Sequence, residues 1–270
     1  MLSDDEWGKL IRDAADRRPG SVKALEYRRE PFATFAAPPL LACSDGHEYW
    51  VRFLSTRDGC SPVQRMPQAG GMVTDHVVGS LARILAPDAV PKTKLVHIAR
   101  ELIEAEFRLE TACEGQAHGS RNASTNCSGR LSFTHESYTR LSMNRSRVAD
   151  LAVLYGLALA NDHQVIYQMG GDPIVFSVDH GHFLPGGPCW SAASLSGAGA
   201  GALDPIVVGE CELTAAELDE PLDRLESLVA NDIADCVAAP PEEWFFPDSD
   251  RIALARYLWL RRDAILQARA

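Results

Sequence analysis

The sequence predicts an α+β fold with segregated parts, a smaller sheet region first and a larger, mainly helical region after it. Three observations carry this. Strand-like runs crowd the N-terminal part, at 22–27, 39–43, 47–54 and 95–98, with a single helical pattern among them. Helical patterning dominates beyond Arg147. Between the two, residues 110–141 turn polar, rich in Gly, Ser, Asn and Thr, which predicts a linker and crossing loop. The expected division is a helix over 1–20, a sheet region with one helix over 21–110, a linker over 111–145 and a helical region over 146–270.

Each element has a local reason. Trp7, Leu10, Ile11 and Ala14 recur at helical spacing, and Arg17-Arg18-Pro19-Gly20 ends that helix. Asp45-Gly46, between two strand-like runs, supplies the positive φ angles of a hairpin turn. Residues 55–71 are Gly-, Pro-, Ser- and Gln-rich and predict a loop. Val73, Val77, Leu81 and Ile84 form the stripe of an amphipathic helix over 72–85, stopped by Pro87 and Pro91. A buried helix is expected over 147–159, a β-branched strand over 174–178 and a loop over 185–205. Thr214 with Glu217 has the capping-box spacing, and 251–268 predicts the last helix.

Bulk properties narrow the function. The chain has 270 residues and a 46 % hydrophobic share, enough for a sizeable core, with aromatics at only 7 % so that the core is aliphatic. A net charge of −11 repels phosphate backbones and argues against general nucleic-acid binding. Arg140, Arg145 and Arg147 form a local basic stretch, expected to be solvated. Seven cysteines at wide spacing include no Cys-x-x-Cys pair, and the start is acidic and polar. The longest apolar run, 151–160, is shorter than the roughly 20 residues that span a bilayer. The expectation is a soluble, reduced, cytoplasmic protein without a membrane partner.

The chemistry concentrates in 158–183. Asp162 follows a buried helix and Asp179 follows a buried strand. The short span between them allows a turn and a hairpin that return both to one place. A carboxylate at the mouth of an apolar element is costly unless it is hydrogen-bonded or holds a cation. Two such acids with the Gln164 amide make a hard oxygen site suited to magnesium. Phosphoryl transfer uses that layout, one acid orienting the attacking hydroxyl and another holding the metal. Spacing alone leaves open a plainer alternative, a polar helix cap at 161–163 and a strand-end turn at 179–181. His163, His180 and His182 also raise a transition-metal site, although no His pair has helical i, i+4 spacing.

The string from Ser177 to Gly187, with Asp179-His180-Gly181 inside it, resembles the metal-binding turn of HipA-like kinases, bacterial relatives of the protein kinases. Asn161-Asp162-His163-Gln164 resembles their catalytic loop. Residues 48–53 resemble the strand that carries the phosphate-binding lysine, and 74–82 the helix whose acid pairs with it. His118-Gly119-Ser120-Arg121, 240–244 and 257–262 resemble further recurrent stretches, so that the match covers about 22–265. The resemblance implies a two-lobed, protein-kinase-like fold and transfer of the ATP γ-phosphate to a hydroxyl of a protein or small molecule. It makes Asp162 the catalytic base or hydroxyl-orienting acid and Asp179 a magnesium ligand, with Gln164 as a substitute second ligand. Arg52 would touch the α- and β-phosphates, Asp75 would hold Arg52, and Ser120 and Arg121 would lie on the nucleotide side.

Departures from the family pattern raise an alternative, a pseudokinase-like module that binds nucleotide or protein without transfer. Arg52 stands where lysine is usual, and arginine's planar fork is not a neutral replacement. Asp75 is one methylene shorter than the usual glutamate. The asparagine expected after Asp162 is missing. Residues 30–39, where a phosphate loop belongs, contain no glycine to let backbone N–H groups approach phosphate.

Overall fold

The computed structural model describes residues 2–28, 38–56, 67–123, 127–131, 136–168 and 172–269. Helix α1 (Asp4–Ala15) starts in a capping box: Ser3 accepts the Glu6 N–H, and the Glu6 carboxylate takes the Ser3 N–H at 2.7 Å. It buries Trp7, Ile11 and Ala14. Strands β1 (Val22–Arg28), β2 (Leu40–Cys43) and β3 (Glu48–Arg52) follow, with Gly46 at φ 79° in the β2–β3 turn. Next come α2 (Pro67–Leu85), β4 (Thr93–Ile98), α3 (Arg100–Ala105) and β5 (Gly115–Arg121). Strand β6 (Cys127–Leu131), α4 (Glu136–Thr139) and α5 (Arg145–Ala158) lead to the ribbon β7 (Val165–Gln168) and β8 (Val175–Ser177). The chain ends in α6 (Ala192–Ser196), α7 (Pro205–Glu210), α8 (Ala215–Ser227), α9 (Ala230–Ala238) and α10 (Asp248–Gln267).

The first five strands close into a small barrel in the order β1-β2-β3-β5-β4. The pairs are antiparallel except β1–β4, where Val22 meets Val96 in parallel and closes the ring. Closure removes the exposed sheet edge. Leu41, Tyr49, Val51, Val96, Ile98 and Ala117 fill its interior as one apolar cluster. A second, larger cluster joins α1, α2, α5 and the C-terminal helices. The remaining strands form a separate sheet, β6-β7-β8. The chain is thus a mixed helix-and-sheet protein with a five-stranded sheet.

Two helices differ from a surface amphipathic pattern. Residues 69–82 of α2 and 148–158 of α5 are buried on every side. One side of α2 joins the helical cluster through Met72, Val73, Val77 and Leu81. The other carries Asp75, His76 and Gly79 against the outer face of β3, β5 and β4. α2 also begins at Pro67, inside the stretch expected as loop, and α6 lies within the expected 185–205 loop.

The main departure is β5, which falls in the expected linker. Its residues look loop-like because the barrel needs small ones there. A Cβ on Gly119 would sit 2.5 Å from Val96 Cγ2 and 3.3 Å from Tyr49 Cβ. The basic stretch is spent on structural contacts: Arg145 pairs with Glu217, Arg140 with Glu212, and Arg147 donates to the Asp88 carbonyl. Cys113 is disulfide-bonded, contrary to the reduced state expected, because wide sequence spacing does not reveal a partner brought close by folding. Among the described residues no helix is long and apolar enough to cross a membrane.

Gly119→Ala is expected to overpack the barrel and destabilise the fold by about 1–3 kcal/mol, the usual range for inserting atoms into a filled core. Thermal or urea denaturation beside wild type measures it, and an unchanged midpoint would show that Val96 moves aside freely.

Candidate active site

The β7–β8 ribbon brings the two aspartates to one end. Val165 pairs with Ser177, and the Val178 N–H donates to the Gln164 carbonyl at 3.0 Å. Asp162 and Asp179 therefore both leave the ribbon at its open end. Asn161 fastens the first segment to the second, its amide donating to the carbonyls of His182 at 3.2 Å and Leu184 at 2.7 Å. The Gln164 amide donates to the Asp162 carboxylate, and His163 Nε2 lies 2.9 Å from Asp204 Oδ2.

The backbone here is strained. Leu159, Asp179 and Leu184 have φ values of 60°, 63° and 73°, three of the five positive-φ residues other than glycine among those described. Left-handed backbone costs about 1–2 kcal/mol for a side chain of this kind, and such strain gathers where surrounding contacts over-determine the chain. At Asp179 the contacts come from α2: the His180 N–H donates to Asp75 Oδ1 at 3.0 Å. Gly181 permits the approach, since a Cβ there would lie 3.0 Å from Arg52 Nη1 and 3.2 Å from the Gly71 carbonyl oxygen.

Arg52 joins the three elements. At the end of β3, its Nη1 lies 3.6 Å from Asp75 Oδ2, and its Nη2 contacts Asp179 Oδ1. His118, directly opposite Arg52 on β5, places Nε2 3.5 Å from Asp75 Oδ2. His118 Nδ1 lies 3.2 Å from His76 Nδ1. Burial is the first influence on each of these groups. It pushes the Asp75 carboxyl up, but His118, Arg52 and His180 outweigh it and hold Asp75 well below the usual carboxylate range. It lowers Arg52, which Asp75 and Asp179 more than reverse. In His76 and His118 burial prevails, and both are lowered.

The expected site residues thus fall into two linked groups, Arg52 with Asp75 and Asp179, and Asp162 with Gln164. Ser120 lies on the same face of β5 as His118, two residues along and opposite Trp50. Arg121 faces the other way, and its guanidinium lies 3.1 Å from His47 Nδ1. The glycine-free segment falls largely in 29–37, outside the described residues. The three histidines weighed for a transition metal are not gathered: His163 meets Asp204 and His180 meets Asp75. Among the described residues no group of three or more His, Cys, Asp or Glu is placed to hold a metal ion. The donor set still suits magnesium, which takes one or two carboxylates and fills its shell with water and phosphate oxygens. Asp179 Oδ1 is taken by the Arg52 guanidinium, the cation that magnesium would have to displace, and the Gln164 side-chain oxygen, whose amide nitrogen donates to Asp162, is a second hard oxygen. His118 and His180 are the neighbours of Asp75 that no local pattern reveals; His118 stands in the quoted β5 string, and its place opposite Arg52 depends on the barrel register.

No family model matches the chain, and no curated protein matches it in sequence. Among solved structures the chain is similar to one described as the Golgi casein kinase, with a TM-score of 0.45 and 10 % identity, covering 98 % of this chain and 77 % of that one.

Asp75→Asn is expected to destabilise the protein by about 1–3 kcal/mol at neutral pH, because buried His118 and His180 lose the charged acceptor they share while half-buried Arg52 keeps Asp179. The folded Asp75 value is depressed, so its contribution is complete above the unfolded value of about 3.9 and fades as pH falls below it. Urea unfolding of both proteins at stepped pH should show the gap narrowing below about pH 4; a gap that widens on acidification would contradict the assignment.

Proposed function

We propose that the chain is an ATP- and magnesium-dependent phosphotransferase of two-lobed, protein-kinase-like build, acting on a hydroxyl of a protein or small molecule. The observation that carries this is Arg52 held between Asp75 of α2 and Asp179 at the open end of the ribbon from which Asp162 also projects. In this proposal the Arg52 fork takes the α- and β-phosphates, which guanidinium suits by bidentate geometry, and Asp75 holds it in place. Ser120 borders the nucleotide from β5. Arg121, facing His47, is left without a part. Asp179 and the Gln164 side-chain oxygen would hold magnesium, which when bound neutralises charge on the phosphates. Asp162 accepts the acceptor hydroxyl's proton or orients it. Gln164 keeps the Asp162 carboxylate turned by donating to it.

A second reading rests on the same contact. Arg52 already supplies a cation to Asp179, and if it stays there the site binds nucleotide weakly or serves as a protein-binding module without transfer. Either way, an acidic chain is a poor partner for nucleic acid.

Thermal denaturation with magnesium and ATP separates these. Binding at a hundredfold excess over Kd adds about 2.7 kcal/mol of apparent stability, so a clear rise in Tm is expected. A rise without phosphate transfer favours the binding module, and no rise at millimolar nucleotide counts against both nucleotide-dependent readings. Within the kinase reading, Asp179→Asn should weaken metal-dependent ATP binding together with turnover. Asp162→Asn should cut turnover by about 10²–10⁴, the contribution of a general base, and leave ATP affinity nearly unchanged. Equal loss of ATP binding in both variants would overturn the division of roles.

A further inference from the structure

Asp75 also ends a chain of buried groups that the proposed chemistry does not use. The Tyr155 hydroxyl lies 2.5 Å from Ser177 Oγ, and Ser177 Oγ lies 2.7 Å from His180 Nε2. His180 Nδ1 lies 3.3 Å from Asp75 Oδ1, the oxygen that also accepts the His180 backbone N–H. Tyr155 and Ser177 are 0 % exposed, His180 2 % and Asp75 5 %.

Serine, histidine and aspartate in this order have the connectivity of a nucleophile triad. Ser177 cannot serve as a nucleophile here, since no solvent reaches it and Tyr155 occupies the far side of its oxygen. The chain is instead a complete relay with one consistent direction. Asp75 can only accept, so His180 Nδ1 donates to it. His180 Nε2 is then the acceptor for the Ser177 hydroxyl, whose oxygen in turn accepts from Tyr155. Every member is satisfied, which is the condition under which a buried polar network specifies one arrangement.

We propose that Tyr155, Ser177 and His180 are positioning residues that lock the turn carrying Asp179 onto α2. His180 grips Asp75 twice, by its backbone and by its ring, so the relay sets the ring and the grip sets the left-handed turn at Asp179. Arg52 and Asp179 are thereby aligned from one shared carboxylate. The inference rests on the phosphotransferase reading for what Asp179 does, but not for the relay itself.

The test begins with imidazole ¹⁵N spectra of the ligand-free protein, in which His180 is expected to carry its proton on Nδ1. Ser177→Ala should shift the His180 Nε2 resonance, which loses its hydrogen-bond donor while Asp75 still holds the proton on Nδ1, and move the Asp179 amide resonance. It should also lower magnesium-dependent ATP affinity roughly 10–100-fold, the usual effect of losing an outer partner of a metal ligand, with metal-free ATP affinity unchanged. Tyr155→Phe keeps the ring and should act in the same direction more weakly. A wild-type His180 protonated on Nε2 alone overturns the relay, as does a Ser177→Ala protein whose Asp179 amide is unmoved. If wild type binds no ATP, the phosphotransferase reading fails, and the two spectroscopic measurements still decide the relay.

Discussion

A carboxylate taken out of water inside a helix that is buried on all sides must be met by positive charge and hydrogen-bond donors, or it costs several kcal/mol. Asp75 is that group. Its partners come from separate stretches: Arg52 from β3, His118 from β5 and His180 from the turn after β8. None of them is near it in sequence. The barrel, the central helix and the ribbon therefore have to assemble together before the charge is compensated. Folding and the proposed chemistry meet at this point, because the same guanidinium that neutralises Asp75 touches Asp179.

Buried arginines organise the helical part in a comparable way. The Arg261 guanidinium, 5 % exposed, donates to the carbonyls of Gly156, Leu157 and Gly199. Those at the end of α5 belong to a helix terminus, whose last carbonyls lack intrahelical partners. Arg251 does the same for Val237, Pro240 and Phe246. In both cases α10 supplies the cation, so the last helix fixes where others stop. The segment running from α5 into Asn161 and Asp162 is held from behind by this means.

Much of this organisation was legible in the sequence where the signal is local. The Thr214–Glu217 box, the Trp7–Ala14 stripe and the Asp45-Gly46 turn each depend on neighbours a few residues away, and each forms as expected. The pairing of β7 with β8 followed from an apolar run bounded by turn residues. β5 was not legible, because Gly115–Arg121 is a strand only through its partners β3 and β4, and its small residues answer to the barrel interior. α2 looked amphipathic because its polar side faces protein groups of matching chemistry instead of water. The contact between Arg52 and Asp75 came from a family pattern, whereas the roles of His118 and His180 around it depend on strand register and a turn geometry that no local pattern encodes.

The peptide group of Gln116 shows how the barrel is attached to the helices. Its N–H is taken by the Glu243 carboxylate, and its carbonyl accepts from the Trp244 indole at 2.8 Å. That indole also lies edge-on to His76, with ring centroids 5.5 Å apart. Both bonds address the main chain at position 116 and ignore its side chain. The joint is consequently insensitive to the side chain at 116 itself, proline excepted for want of an N–H, but not to its neighbour, since a Cβ on Gly115, at φ 129°, would lie 3.1 Å from Glu243 Oε1. A substitution at 116 therefore costs the joint little beyond the Gln116–Ser21 hydrogen bond, whereas loss of Glu243 or Trp244 removes one of its two fastenings outright.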